Sequence, residues 1–269
     1  MIIFIILIII GCIYLLLIKP TSRRYVLIDT FLKTKYYTHR GLYDNKQYIE
    51  NTLPSFQRAI DHNYGIEMDV QLTKDKVPVV YHDFNLKRLT NIDKEVGDYT
   101  LEELRQIKLL NSNEMIPTFE EFLDLVNGQV PIIIEYKVKN SDCELEVCRI
   151  VQKMLDNYSG PYCVESFSPL VVRYYKKHHP HIMRGQLQSN YLKTNDDRHK
   201  YWFIYFICQN LLTNFLTKPD FIASDVRFIC VSYNICHKLF KGLGVAWTVN
   251  NRKDITKKYD IYIFENIII

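Results

Sequence analysis

The sequence lacks the features that define several common protein classes. It contains no Cys-x-x-Cys pair, and its closely spaced cysteines lack the partners of a usual zinc site. The seven cysteines form an odd number, which argues against a full disulfide framework. The net charge is only +4 over 269 residues, with lysine and arginine scattered along the chain, so no nucleic-acid partner is indicated. Repeats and low-complexity tracts are also absent, and no feature specifies an oligomeric state.

The first 18 residues lack any charged side chain. As a helix this run would be about 27 Å long, so we predict a transmembrane anchor over residues 1–18. A cleaved signal peptide would need a basic start and a small-residue cleavage site, and neither is present. Lys19, Arg23 and Arg24 follow the run. The positive-inside rule then predicts a single-pass protein of the cell membrane, with its catalytic body in the cytoplasm.

The rest of the chain reads as one domain over residues 36–269, joined to the anchor by a linker over residues 19–35. Single apolar runs such as 130–136, 162–164 and 261–264 alternate with helical patterns. Repeated strand–helix units of this kind predict a parallel sheet closed as a (β/α)8 TIM-type barrel. Residues 84–115 are polar and irregular, and we predict that they form a small insertion.

Charged side chains stand where several predicted strands end. They are His39 and Arg40, Glu67 and Asp69, His82, Glu135 and Lys137, and Glu165. Barrel enzymes react at the carboxyl ends of their strands, so these side chains are expected to meet. An acidic pair in a strand usually lies on a solvent-exposed edge. The presence of charged residues at the ends of so many predicted strands nevertheless favours an active site.

The stretch GIEMDVQLTKDKVPVVYHD, residues 65–83, supplies three of these side chains. Glu67 and Asp69 stand two apart and therefore project from the same face of a strand. If Lys74 and Asp75 form the centre of a hairpin, Val70 pairs with Val79 and His82 lies opposite Glu67.

The chemistry of the set indicates metal-assisted phosphodiester cleavage. Glu67, Asp69 and Glu135 offer only hard oxygen ligands, which favour Mg²⁺ or Ca²⁺ over zinc. Arg40 and Lys137 could hold phosphate oxygens, although Lys137 could instead only neutralise Glu135. His39 and His82 could divide the proton transfers between nucleophile and leaving group.

The chain resembles the glycerophosphodiester phosphodiesterase family from about Tyr37 to Asn250, in the order and spacing of its motifs. The matching motifs are His39-Arg40-Gly41, Glu50-Asn51-Thr52, residues 65–83, Asn85 to Thr90, Ile116 to Leu123, Ile134 to Lys137, Ser166-Phe167 and Trp247 to Asn250.

The resemblance implies a distorted TIM barrel that hydrolyses glycerophosphodiesters to glycerol 3-phosphate and an alcohol. It implies His39 as base and His82 as acid, with either water or the glycerol 2-hydroxyl as the first nucleophile. Metal ligands would be Glu67, Asp69 and Glu135. Substrate contacts would be Arg40 and Lys137, with Glu50 and Trp247 as further members of the signature.

Two departures from the family pattern stand out. Lys76 occupies a position where many members have glycine, and the usual last strand ending in a glycine-rich Ile-Thr-Asp is replaced by Phe264-Glu265-Asn266. The second departure puts closure of the barrel in question.

Two alternative functions remain open. Residues 201–216 are more apolar than a barrel helix requires, either because they pack on the barrel or because they dip into a bilayer. The second case would suit a lysophospholipase D that acts on membrane lysophospholipids. A catalytically silent, membrane-tethered binding module is the other alternative, and the intact set of histidines and carboxylates argues against it.

Overall fold

Short runs of β-branched and aromatic residues form a closed barrel in the computed structural model, which describes residues 1–21, 28–139, 144–194 and 198–269. The barrel strands are β1 (Tyr36–His39), β2 (Gly65–Leu72), β4 (Ile132–Tyr136), β5 (Tyr162–Ser166), β6 (Arg184–Gln188), β7 (Phe221–Asp225), β8 (Leu243–Val249) and β9 (Ile261–Phe264). An additional strand, β3 (Pro78–Val80), pairs antiparallel with β2.

Strand β1 closes the barrel because it pairs in parallel with two neighbours. Thr38 is in register with Ile66 of β2 on one side and with Phe264 of β9 on the other. The remaining strands follow in the order β2, β4, β5, β6, β7, β8, β9. The predicted eight-stranded parallel barrel is therefore confirmed, and the atypical carboxyl-terminal sequence still supplies its last strand.

The helices surround the barrel, and several of them, such as α3, α6 and α8, bury apolar side chains against it. They are α2 (Ile28–Thr34), α3 (Leu53–Asp61), α6 (Phe119–Val126), α7 (Glu144–Leu155), α8 (Pro169–His178), α9 (Tyr191–Thr194), α10 (Arg198–Gln209), α11 (Asn214–Thr217) and α12 (Val231–Lys238). Helix α6 shows why such segments become helical. The Thr118 hydroxyl accepts from the backbone N–H of Glu121, and the Glu121 carboxylate accepts from that of Thr118, which satisfies two free donors at the helix start.

Apolar side chains fill the barrel interior and the space beneath the helices. Interior residues include Tyr37, Ile133, Phe221 and Ile263. Residues 28–34 of the segment predicted as a linker form α2, whose fully buried Phe31 stacks on Tyr37 with 5.9 Å between ring centroids. This helix thereby covers the interior where β1 begins.

The predicted insertion, residues 84–115, folds around a small apolar cluster of its own. It contains α4 (Lys87–Thr90), a 3₁₀ turn (Val96–Asp98) and α5 (Leu101–Leu104). Leu86, Leu89 and Leu104 pack there with Tyr81. The cluster fixes the segment that follows His82 beside the mouth of the barrel.

The apolar amino-terminal run forms α1 (Ile2–Ile18), whose end is attached to the barrel. The buried Ile18 carbonyl accepts from Asn214 Nδ2 at 2.8 Å and from Cys236 Sγ at 3.1 Å. Helix α1 is 17 residues long. Among the described residues, no helix has the length and apolar character to cross a membrane.

The transmembrane anchor predicted over residues 1–18 is therefore not supported. Arg23 and Arg24, on which the predicted orientation depends, lie outside the described residues. The location in the cell membrane stays a prediction.

Candidate active site

Three carboxylates meet at the carboxyl ends of β2 and β4. Glu67 and Asp69 are two residues apart on β2, so their side chains face the same side of the strand. The strand register places Asp69 beside Glu135 of β4. One oxygen from each of the three lies within 4.8 Å of the others, and all three side chains are buried. The structure thus brings together the three predicted metal ligands.

The electrostatics of this cluster fit a bound cation. Burial raises the pKa of Glu67 well above its ordinary value, and the charges of Asp69 and Glu135 raise it further. Burial likewise raises the pKa of Glu135 to about 7. Burial opposes ionisation of Asp69 too, but nearby Lys137 holds the pKa of that carboxyl far below its usual range. Three crowded acidic groups with hard oxygen donors suit Mg²⁺ or Ca²⁺.

Lys137 lies beside the acidic cluster. Its Nζ contacts Glu135 Oε1 at 2.6 Å and Asp69 Oδ1 at 3.0 Å. Its side chain lines one cavity, while Glu67 and Glu135 line a different pocket. In this structure Lys137 therefore pairs with the carboxylates, which is the alternative that the sequence left open.

The β2–β3 hairpin differs by one residue from its predicted register. Val70 pairs with Val80, and not with Val79. The loop runs from Thr73 to Val77, whose backbone groups bond at 3.0 Å, and Lys76 adopts a positive φ of 66°. That conformation favours glycine, which accounts for the glycine of many family members at this position but not for the lysine here. The predicted pairing of His82 with Glu67 was wrong, because an extra loop residue moves the partner strand along.

His82 nevertheless lines the same pocket as Glu67 and Glu135, because the chain leaves the sheet after Val80. Its Nδ1 lies 2.5 Å from Asp83 Oδ1, and the other Asp83 oxygen accepts from Arg88 Nε at 2.6 Å. Burial, assisted by the charge of Lys137, lowers the pKa of His82 to about 4. The ionised Asp83 orients the ring with Nδ1 as the protonated nitrogen.

His39, at the end of β1, has the same kind of partner. Its Nδ1 lies 2.6 Å from Glu265 Oε2, which also accepts from the Tyr43 hydroxyl at 2.7 Å. The pKa of Glu265 is lowered to about 2: burial opposes ionisation, but the His39 hydrogen bond and charge outweigh it. Burial and the charge of Arg40 lower the pKa of His39. His39 is therefore a neutral imidazole held by a carboxylate.

The turn after His39 aims Arg40 at the acidic cluster. Arg40 and Gly41 both have positive φ, and a Cβ added to Gly41 would lie 2.4 Å from Ser55 Oγ. Arg40 Nη1 donates to Glu50 Oε1 at 2.8 Å, and Arg40 Nε lies 3.5 Å from Asp69 Oδ2. Glu50 also accepts two bonds of 2.7 Å from Arg88. Glu50 thus positions two arginines.

The side chains at the ends of these strands surround a pocket of about 450 Å³. Seven of the nine predicted site residues line it: His39, Arg40, Glu50, Glu67, His82, Glu135 and Trp247. The Trp247 indole N–H donates to the Ala223 carbonyl at 2.9 Å, which fixes its ring in the wall. Asp69 lies behind the lining, fully buried.

Several residues of the site were missed by the sequence reasoning. Glu265 follows the last apolar strand, so the rule that collected the other strand-end residues could have found it. Asp83 follows His82 in the chain, but nothing in the pattern indicated that its carboxylate would accept from the ring. The contact of Arg88 with Glu50 spans 38 residues and depends on the folded insertion. Glu165 of β5 lies in register with Glu135, and burial raises its pKa well above the ordinary value. Glu165 was itself among the strand-end residues that the sequence indicated, and it lines the same pocket.

The chain is similar to known proteins over most of its length. Residues 39–266 match the model of the Glycerophosphoryl diester phosphodiesterase family. The chain is 33% identical over 168 residues to a glycerophosphodiester phosphodiesterase of Caldanaerobacter subterraneus subsp. tengcongensis, which covers 58% of this chain and 67% of that protein. It is 30% identical over 153 residues to a human lysophospholipase D, covering 52% of this chain and 48% of that one.

A similar fold occurs in a phosphodiesterase from Oleispira antarctica, whose structure is in complex with the product sn-glycerol-3-phosphate. The two chains share 22% identity with a TM-score of 0.69, over 86% of this chain and 92% of the other. This likeness concerns the fold.

Proposed function

The chain belongs to the glycerophosphoryl diester phosphodiesterase family of phosphoric diester hydrolases, and on this premise we propose that it hydrolyses glycerophosphodiesters to glycerol 3-phosphate and an alcohol. One observation carries the proposal. Three buried carboxylates cluster at the wall of one pocket that two histidines also line, and each histidine is paired through Nδ1 with its own carboxylate. Such a pocket can bind a cation and supply both a base and an acid.

Glu67, Asp69 and Glu135 would hold the divalent cation, Mg²⁺ or Ca²⁺. When bound, the cation would polarise the phosphate and offset the charge that develops on its oxygens. The raised pKa values of Glu67 and Glu135 support this assignment, because carboxyls crowded in a buried site without a counter-charge resist ionisation.

His39 is assigned the role of general base. Because Glu265 accepts from Nδ1, the lone pair of the neutral ring is on Nε2. Nε2 would take the proton of the attacking hydroxyl, whether that belongs to water or to the glycerol 2-hydroxyl. Glu265 would then stabilise the imidazolium, as a carboxylate does for a catalytic histidine.

His82 is assigned the role of general acid toward the leaving alcohol. An acid must carry the proton before the reaction, yet burial and Lys137 lower the pKa of His82 to about 4. Binding of the phosphodiester anion beside the ring would raise that pKa, and Asp83 would hold the protonated ring in place. His82 would thus be protonated only when substrate is bound.

Arg40 would bind the phosphate, and Glu50 would position it. The Arg40 guanidinium is largely buried and is aimed by Glu50 toward the acidic cluster, so its remaining donors can reach a bound phosphate as a planar fork. Lys137 already pairs with two carboxylates and keeps one N–H donor, which could reach a bound phosphate only if the side chain turned toward the pocket. Trp247 would form the wall against which the substrate packs.

The variant His82→Ala tests the mechanism. We expect turnover of glycerophosphocholine to fall by two to four orders of magnitude, because loss of a general acid costs about that much. The exposed His181 provides the control, and His181→Ala should retain activity. Circular dichroism should show both variants folded. Near-normal turnover by folded His82→Ala would remove His82 from the mechanism.

Lysophospholipase D activity is a second candidate. It is favoured by the exposed apolar side chains of α10, among them Trp202, Phe203 and Phe206, and by the name of the human relative. Rates on acylated and deacylated forms of one substrate distinguish the two candidates.

A further inference from the structure

A large groove lies beside the catalytic pocket, between α8 and α10. Its volume is about 970 Å³, which is at the upper end of sites that hold small ligands. Leu170 and Pro169 at the start of α8 form one wall, and Ile204 and Ile207 of α10 form the other. The groove is separate from the acidic cluster and is unused by the hydrolytic mechanism.

The lining of the groove is suited to a hydrocarbon chain. Among the described residues that line it, Arg173 is the single charged side chain and none is acidic. Leu170 and Ile204 are each more than half exposed. Apolar surface of this extent on a folded chain is favourable to cover and is typical of a ligand-binding groove.

An unbroken row of aromatic rings joins the groove to the catalytic pocket. Trp247 and Phe167 both line the catalytic pocket, with their ring centroids 5.4 Å apart. Phe167 also lines the groove and contacts Tyr191 at 6.1 Å, which stacks on Tyr205 at 6.0 Å. Tyr201, 6.2 Å from Tyr205, continues the row. Phe167 therefore lines both the charged catalytic pocket and the apolar groove.

We propose that this groove is an acyl-chain subsite, so that the enzyme takes lysophospholipids with the phosphodiester in the catalytic pocket and the acyl chain in the groove. The proposal rests on the proposed hydrolytic function and specifies its substrate class. The continuity at Phe167 favours one molecule that carries both a phosphate and a long apolar chain. A bilayer surface or a second protein copy would have no need of that connection.

An acyl-length series measured below the critical micelle concentration tests the proposal. With lysophosphatidylcholines of increasing length, kcat/KM should rise about fourfold for each methylene that enters the groove. Glycerophosphocholine serves as the deacylated reference.

Leu170→Glu places a charge in the groove wall, and Leu239→Glu is the matched control. These leucines are exposed to similar extents, 54% and 59%, and Leu239 lies outside the groove lining. The ratio of kcat/KM for the acylated over the deacylated substrate should fall at least tenfold in Leu170→Glu and stay constant in Leu239→Glu. Binding of tetradecylphosphocholine can be measured by calorimetry without turnover. It should be weakened in Leu170→Glu and unchanged in Leu239→Glu.

The outcomes separate the groove from the proposed function. Turnover of glycerophosphocholine without any gain from an acyl chain would overturn the groove proposal alone. Loss of all hydrolysis, with tetradecylphosphocholine binding still sensitive to Leu170→Glu, would overturn the proposed function alone. A gain that appears only above the micelle concentration, or equal effects of the two variants, would assign this surface to an aggregate or a partner and refute the acyl-chain subsite.

Discussion

The contact between His39 and Glu265 gives the sharpest test of the proposed reaction. Glu265→Gln keeps the shape of the side chain and an oxygen acceptor but removes the negative charge. His39 Nδ1 lies 2.6 Å from Glu265 Oε2, and both side chains are more than four-fifths buried, so solvent screens the contact weakly.

The size of the effect follows from the charge that His39 acquires. A hydrogen bond to a charged group is worth about 1.5–3 kcal/mol, against about 1 kcal/mol between neutral groups. Losing a difference of about 1–2 kcal/mol in the transition state should reduce kcat about 5- to 30-fold. KM should change little, because His39 is neutral before the reaction.

The pH dependence of activity provides a second test of the contact. A base is lost when it is protonated, so activity falls as the pH drops through the pKa of His39. Glu265 raises that pKa, and Glu265→Gln should therefore move the acidic limb to lower pH.

The matched control is Glu121→Gln. Glu121 pairs with Arg105 on the surface, away from the pocket, and its loss should leave kcat and the pH profile as in the wild type. A folded Glu265→Gln enzyme with wild-type kcat and an unmoved acidic limb would refute the role assigned to Glu265.

Two further predictions concern stability. Glu50 is 2% exposed, and Arg88 and Arg40 lower its pKa from 4.5 to about 2 against the effect of burial. Ionised Glu50 should therefore contribute about 3 kcal/mol to the free energy of unfolding above pH 4.5, and this contribution should be lost as the pH falls toward 2. Urea unfolding of Glu50→Gln should show that deficit at pH 7 and little at pH 2, and a pH-independent deficit would contradict it. Gly41→Ala should cost about 2 kcal/mol or more, because its φ is 83° and its Cβ would meet Ser55 Oγ at 2.4 Å. Gly97→Ala, whose Cβ meets nothing closer than 3.9 Å, is the control, and equal costs for the two would show that the turn is not constrained.

Local patterns in the sequence were sufficient for the barrel and for most of the pocket. Strand periods and strand ends are properties of a few neighbouring residues, so Glu67, Asp69 and Glu135 could be collected without knowing the packing. Parallel strands place their carboxyl ends together, which turns a one-dimensional pattern into a cluster.

Contacts that depend on distant segments could not be found in this way. Glu265 is 226 residues from His39 and meets it only because β9 closes the barrel against β1. The hairpin register depended on one loop residue, Lys76, and its backbone conformation. Helix α1 was predicted as a helix, but its attachment through Ile18 to Asn214 and Cys236 has no local signal.

Hydrolysis of glycerophosphocholine by the full chain, with metal removed and restored, tests the central claim most directly. The enzyme stripped by chelator should be inactive and should recover with Mg²⁺ or Ca²⁺. Recovered enzyme should release glycerol 3-phosphate and choline in equal amounts, while Asp69→Asn should respond to neither ion. Release of phosphocholine and glycerol, or full activity in excess chelator, would contradict the assignment of this pocket.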